Sequence, residues 1–391
     1  MVTDIRYLSE KYDDYIIERR RFYHSWPELS GQEKNTREFI KHDLEALGIT
    51  EITEMQNCYG LTAMIRGGQP GKTIGLRSDM DALPIKEATG LSYSSRNEGV
   101  MHACGHDSHI AMLLGAAKIL MSIRSQLKGN VLLIFQPSEE NASGAQWMVN
   151  EHATDCIDAL YGMHVWGELD APLMEIHEGN RMAAADLFYI DVYGGSAHGA
   201  APHLGTDAIT IGCNIVCNLQ QIVSRMNDPL NPMVITIGEF RGGPRFNVIS
   251  DHVEMVGTSR YFNNDLDVEG TMRRVIEDTA EAFGGRAELR YIYKSPAVIN
   301  ADPVLNAIGR NAVAKLFGEH CIGDLKPTMG GEDFPILAQG KPFFFAFLGT
   351  HDEEGGYTCV NHQQGYTLDE SLLKRGSALT AQFAMDYLAQ A

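Results

Sequence analysis

At 391 residues the chain is longer than one hydrophobic core usually spans, so two domains are expected. Its 32 Lys and Arg against 51 Asp and Glu give a formal net charge of −19, which repels phosphate backbones and argues against a nucleic-acid partner. Seven cysteines, Cys58, Cys104, Cys156, Cys213, Cys217, Cys321 and Cys359, are odd in number and scattered, which is not a disulfide framework.

The opening MVTDIRYLSEKYDDY is charged throughout and lacks the apolar stretch of a secretory signal, so a cytoplasmic location is expected. Residues 4–26 have helical spacing, 35–48 read as an amphipathic helix ended by Gly48, and 72–79 read as a buried strand. Asp107 or Ser108 can cap a helix from His109 to Arg124. The apolar run it contains, residues 110–123, includes Lys118 and is too short to cross a bilayer, so no membrane partner is expected. Strands follow at 130–136 and 159–165. Strands alternating with helices predict a largely parallel, helix-covered sheet, the α/β class.

From Ala184 the rhythm changes: a strand at 186–194, a helix from Asp207 to Arg225, strands at 233–240 and 252–262, a helix from Leu266 to Phe283, and a strand at 287–294. That β-α-β-β-α-β order is the split βαβ pattern of a small ferredoxin-like domain, placed at 184–297. A helix at 303–318, a buried strand PFFFAFLG and a closing helix at 369–389 return to the first pattern. The first domain is therefore read as discontinuous, 1–183 with 298–391.

In open α/β sheets, sites form outside the carboxyl ends of the strands. Here those ends deliver Asp79 and Asp81, Glu139 and Glu140, and His164, with Cys104 and His106 in a turn that opens the next helix. Two residues apart, Cys104 and His106 would diverge on a helix, whereas an extended turn through Gly105 aims both at one point. Adjacent carboxylates in extended chain face opposite sides, so Glu139 and Glu140 are expected to divide the work, one holding metal and one handling protons. Metal-assisted hydrolysis needs that division. A divalent ion lowers the pKa of bound water toward ~7 and polarises the attacked carbonyl, while a nearby carboxylate takes and passes on the proton. Imidazole, thiolate and carboxylate donors suit zinc or manganese first, with cobalt or nickel as alternatives.

The phrases LRSDMDALPIKE, MHACGHDSH, FQPSEE, GMHVW, GGSAHGAAPHLGTDAI, FNVISDHVEMVGTSR and MGGEDF run in order along the chain and resemble the amidohydrolase branch of the aminoacylase and carboxypeptidase metallopeptidase superfamily. That branch includes hippurate hydrolases, indole-acetyl-amino-acid hydrolases and N-acetyl-diaminopimelate deacetylases. The resemblance implies a catalytic domain with two divalent metal ions and an inserted lid that also dimerises, giving a homodimer or higher homo-oligomer. Carried over by motif, Cys104, His106, Glu140, His164 and His362 are the metal ligands and Glu139 the general base and acid. His198, Asn247, Arg260 and Gly331 hold the substrate, His198 on the oxyanion, and Asp81 orients the site from behind the ligands. Two departures stand out: Gln363 and Gln364 where relatives usually have a proline after the histidine, and ENASGAQ where they have a glycine-rich run.

The expected reaction is hydrolysis of the amide bond of an N-acyl amino acid. A dipeptidase of the same fold, a thiol hydrolase with Cys104 as nucleophile and His106 as base, and a non-catalytic metal-binding dimer are the rivals. Cys213 and Cys217, four apart on a predicted helix, read as core packing rather than a metal pair. His102, His109, His203, Glu332 and residues 352–354 receive no role.

Overall fold

The computed structural model describes residues 4–262 and 266–390. Contacts divide the chain into two compact units, Met1–Arg181 with Val298–Lys326 and Asp333–Ala391, and Met182–Ala297 with Pro327–Glu332. The short return segment Pro327–Glu332 joins the second unit because Ala183 N–H donates to the carbonyls of Thr328 (3.2 Å) and Gly330 (3.0 Å).

The first unit is built on a seven-stranded sheet. Its order is Ile52–Glu54, Leu61–Arg66, Lys128–Gln136, Gln69–Asp79, Ala159–Asp170, Phe343–His351, Met174–Glu175. The four central strands are parallel and the outer pairings antiparallel. Parallel strands covered on both faces must be apolar throughout. FFFAF obeys this, with Phe344, Phe345, Ala346 and Phe347 all buried. Helices His106–Ile123 and Leu373–Ala389 pack against each other, joined by Ser377 Oγ donating to Met112 O at 2.9 Å.

The register sets the site. Asp79 pairs with Gln136 and Arg77 with Gly162, so Asp79, Gln136 and His164 end up level at the carboxyl edge of three neighbouring strands. The N-terminal helical stretch is broken at Tyr12 into Ile5–Lys11, capped by Asp4, and Asp13–Ser25.

The second unit is a four-stranded antiparallel sheet in the order Met233–Gly242, His252–Tyr261, Ala184–Tyr193, Arg286–Ser295, with helices Ala208–Gln221 and Val268–Ala282. Asp207 and Asp267 cap the two helices. Ile211, Ile215 and Leu219 face a core of Phe188, Ile190, Met255, Met272 and Ile276. That stripe uses one side of the helix, so Cys213 and Cys217 fall on the other side and are exposed, which corrects their reading as core residues. No described helix is long and apolar enough to cross a membrane.

Candidate metal and catalytic centre

The helix carrying His106 begins three residues earlier than predicted, at His106 itself, and its cap is Gly105 rather than Asp107 or Ser108. Gly105 sits at φ +92°, and a Cβ there would lie 2.4 Å from Val165 Cγ2, so only glycine can turn the chain between Cys104 and His106. Asp107 does not cap because its carboxylate is engaged elsewhere, by Arg20 at 2.9 Å and His24 at 2.7 Å.

That turn brings Cys104, His106 and Glu140 together, with ligand atoms within 4.8 Å of one another. His106 Nε2 lies 3.9 Å from Glu140 Oε1 and 3.9 Å from Glu139 Oε2. Cys104 Sγ lies 3.4 Å from His164 Nε2, and His362 Nε2 lies 3.4 Å from Glu140 Oε1. Five sequence-selected residues and Glu139 therefore share one region of the first unit.

Hydrogen bonds fix which atoms face inward. His106 Nδ1 donates to the Asp81 carbonyl at 2.9 Å, and His164 Nδ1 donates to the Val165 carbonyl at 2.6 Å. Both imidazoles are thereby left with an Nε2 lone pair turned toward the cluster. Among the described residues His106 Nε2 and Glu140 Oε1 are buried without a hydrogen bond, the glutamate oxygen having an ion-pair contact with His362 at 3.4 Å, and this costs stability unless something fills the gap. A divalent cation fits that donor set, and the charges agree. Burial opposes the His106 imidazolium, but Asp79, Asp81 and Glu140 outweigh it and lift the pKa to about 10, so without an ion this site draws in a proton as its positive charge. Burial pushes the Cys104 thiol up, and Glu140 and Glu139 push it further. A thiol so disfavoured as thiolate is a poor nucleophile unless a cation is beside it.

The sequence brings Asp79 to a strand end without a role and gives His109 none, yet both lie at the base of the site. His109 Nε2 accepts the Val165 amide at 2.9 Å while Nδ1 pairs with Asp79, whose other oxygen accepts Arg77 Nη1 at 2.8 Å. Both ring nitrogens of His109 are spent, so this histidine supports the centre without offering a donor. The HDSH spacing, three residues after His106, is the signal that could have found it. Asn361, which carries no sequence signal, joins them: its amide nitrogen donates to the Cys104 carbonyl at 2.8 Å, and its oxygen accepts Gly167 N–H at 2.9 Å. It anchors the segment that presents His362, whose φ is +70°.

Asp81 is buried behind the ligands, its Oδ2 accepting Ser30 Oγ at 2.7 Å and the Glu140 amide at 3.1 Å. After the glutamate pair the chain turns sharply. A Cβ on Gly144 would lie 1.6 Å from the Pro137 carbonyl oxygen, which explains the single glycine in the departure ENASGAQ. Asp333 is fully buried, accepting Gln136 Nε2 at 2.6 Å and the Ala145 amide at 3.2 Å.

The remaining selected residues belong to the second unit. His198 is exposed, its Nδ1 accepting the Ala200 amide at 3.0 Å. Asn247 is half-buried with its side-chain oxygen lacking a hydrogen bond among the described residues, and its carbonyl accepts Gly199 N–H at 2.8 Å. Arg260 is half-buried, desolvation lowering its pKa. Gly331 packs so that a Cβ would lie 2.6 Å from Ala185 Cβ.

Comparison with known proteins agrees with this architecture. The pattern defining peptidase family M20/M25/M40 matches residues 75–386. The chain is 35% identical over 384 residues to thermostable carboxypeptidase 1 of Saccharolobus solfataricus, covering 96% of each. It is 41% identical over 302 residues to the N-acyl-L-amino acid amidohydrolase of Geobacillus stearothermophilus, covering 76% of this chain and 81% of that protein. The YXEP protein of Bacillus subtilis, described as a dinuclear metal-binding peptidase, superposes with a TM-score of 0.85 at 33% identity, covering 98% of this chain and 100% of that one. The chain belongs to peptidase family M20/M25/M40 and is, with it, a metal-dependent hydrolase of amide bonds.

Proposed function

We propose that this enzyme hydrolyses N-acyl amino acids, releasing the acyl group as a carboxylic acid and the free amino acid. The observation that carries the reading is the convergence of His106 Nε2 and Glu140 Oε1, both buried and without a hydrogen bond among the described residues, with Cys104 and His362 beside a second carboxylate, Glu139. Two divalent ions, zinc or manganese first, would be held by Cys104, His106, Glu140, His164 and His362. Such ions supply an activated water and a polarised carbonyl. Glu139 takes the proton of the attacking water and hands it to the leaving amine, which makes C–N cleavage possible near neutral pH. Asp81 and His109 hold the ligands from behind.

The roles of His198 on the oxyanion and of Asn247, Arg260 and Gly331 on the substrate rest on the resemblance of their motifs. So do the assignments of the first unit as catalytic domain and the second as lid and dimerisation domain. Arg260 is the group suited to a substrate carboxylate: it is a half-buried cation that donates to the Ser259 carbonyl at 3.1 Å and feels the charge of Asp186, with no carboxylate in an ion pair with it among the described residues. A homodimer acting in the cytoplasm completes the reading.

The likeness to a carboxypeptidase over nearly the whole chain favours a second reading, cleavage of peptides at their carboxyl end. One experiment separates the two: hydrolysis of N-acetyl and N-benzoyl amino acids against matched dipeptides by metal-stripped protein, before and after addition of zinc, manganese, cobalt or nickel. The first reading expects metal-restored activity strongest on acyl amino acids, reduced by about 10² to 10⁴ in Glu139→Gln. Preference for dipeptides overturns it in favour of the second, and full activity without metal overturns both.

A further inference from the structure

Glu139 is held by a turn whose backbone is strained at both ends, with φ +54° at Ser138 and +48° at Ala142. Such conformations persist only when the surroundings determine them. Part of the holding is local: the Ser138 carbonyl accepts the amides of Ser143 (3.3 Å) and Gly144 (3.2 Å), and the Glu139 carbonyl accepts Ala142 N–H at 2.6 Å.

The rest comes from a turn more than a hundred residues earlier, PELSGQE, at Pro27–Glu33. Glu33 is fully buried, and its Oε1 accepts both Gly31 N–H at 2.9 Å and Ser138 N–H at 2.8 Å. Ser30 of the same turn donates to Asp81, which in turn accepts the Glu140 amide. The turn is itself fixed, because Glu28 accepts the amide and hydroxyl of Thr36 at 2.7 and 2.9 Å and its carbonyl accepts Ala82 N–H at 2.8 Å. The amides immediately before and after Glu139 are thus each bound to a buried carboxylate, and one turn governs both.

Glu33 is an expensive way to hold an amide. Its Oε2 is buried with no hydrogen-bond partner among the described residues, a cost that a residue chosen for stability alone would avoid. The feature that repays it is aim. A proton acceptor that must first face a water and then a leaving amine tolerates little displacement, since ~1 Å of misplacement can cost about 10²-fold in rate.

We propose that Glu33 is a positioning residue for Glu139, setting the direction of the catalytic carboxylate through the Ser138 amide. The inference rests on Glu139 being the base. Glu33→Gln keeps the acceptor oxygen and the length. Glu33→Asp keeps the charge but loses the reach, and Glu33→Ala loses both.

The test compares these variants, in the metal-loaded enzyme, for kcat, KM, metal affinity by calorimetry and amide exchange at residues 138–142. The expected pattern is a kcat lowered about ten- to a hundredfold in Glu33→Ala and Glu33→Asp and within about threefold of wild type in Glu33→Gln, with KM and metal affinity within about twofold throughout. Faster exchange of the Ser138 amide should accompany the loss. Rescue by Asp rather than Gln, wild-type kcat in Glu33→Ala, or loss of metal affinity in step with kcat would overturn it. If Glu33→Ala fails to fold, the contrast between the Gln and Asp variants decides. Full activity in Glu139→Gln overturns the function itself, whereas an inactive Glu139→Gln beside a normal Glu33→Ala removes only this inference.

Discussion

Arg20 and Asp107 meet at 2.9 Å with side chains only 2% and 0% exposed, joining the second N-terminal helix to the first turn of the helix that carries His106. His24 adds a second contact to the same carboxylate oxygen, and Glu370 and Tyr93 add partners to Arg20. A buried pair of this kind adds little net stability against an apolar replacement, but removing one partner strands the other charge. Asp107→Ala should therefore destabilise the protein by about 3–5 kcal/mol, read as a lowered midpoint of thermal unfolding. A midpoint within 1–2 °C of wild type would mean that water reaches Arg20 and the pair is not sealed.

Glu33 gives the fold a pH dependence of its own. Burial raises its pKa from the usual 4.5 to about 7, against the pull of its amide hydrogen bonds and with the nearby Asp81 adding to the rise. A carboxyl whose folded pKa is raised contributes stability below its unfolded pKa and loses it as pH rises through the folded one. The contribution is thus present below about 4.5 and gone above about 7, a span worth about 3 kcal/mol at ~1.4 kcal/mol per unit. Glu87 runs the other way at lower pH. Burial works against it, but hydrogen bonds from His24, Thr89 and the Ser95 amide pull it to about 2, so its share is lost as pH falls from 4.5 toward 2. Unfolding measured from pH 4.5 to 7.5 should show a slope in wild type that is flattened in Glu33→Gln. An unchanged slope would place the titration in another group.

The state of Cys104 separates metal chemistry from thiol catalysis. In metal-free protein at pH 7.5, iodoacetamide should label the exposed Cys156, Cys213 and Cys217 well before Cys104, which is buried and whose thiol is held protonated by burial and by Glu140 and Glu139. Mass spectrometry of timed samples checks the order. Cys104 labelled first, with loss of activity in a protein that needs no metal, would restore it as nucleophile.

The strand ends, the Cys-Gly-His turn and the split βαβ order were legible because each rests on local physics: apolar runs for strands buried on both faces, a glycine where two side chains must converge, and alternation between amphipathic helices and strands. What escaped was decided by distant partners. Asp107 has the chemistry of a cap, yet the Gly105 turn starts the helix before it and Arg20 and His24 claim its carboxylate from a helix more than eighty residues away. Cys213 and Cys217 are apolar enough for a core, and only the placement of Ile211, Ile215 and Leu219 on the opposite stripe shows that they are exposed. Glu33 reads as an ordinary charged turn residue until the fold brings Ser138 to it.

His109 tests the distinction between holding a metal and holding its ligands. Four donors, Asp79, His106, His109 and His164, lie close enough together to suggest a second cluster. Hydrogen bonding argues otherwise for His109, since Val165 N–H occupies Nε2 and Asp79 occupies Nδ1. Removing its imidazole should leave the number of metal ions bound unchanged while weakening affinity, because the strand end that carries His164 and the carboxylate beside His106 both lose their anchor. Loss of such a support typically costs 10- to 100-fold in affinity or activity. His106→Ala, by contrast, should lower the stoichiometry itself. Metal analysis after dialysis, together with calorimetric titration of both variants, measures the two quantities separately. If His109→Ala also loses an ion, then His109 must give up its Val165 contact on metal binding and serve as a ligand.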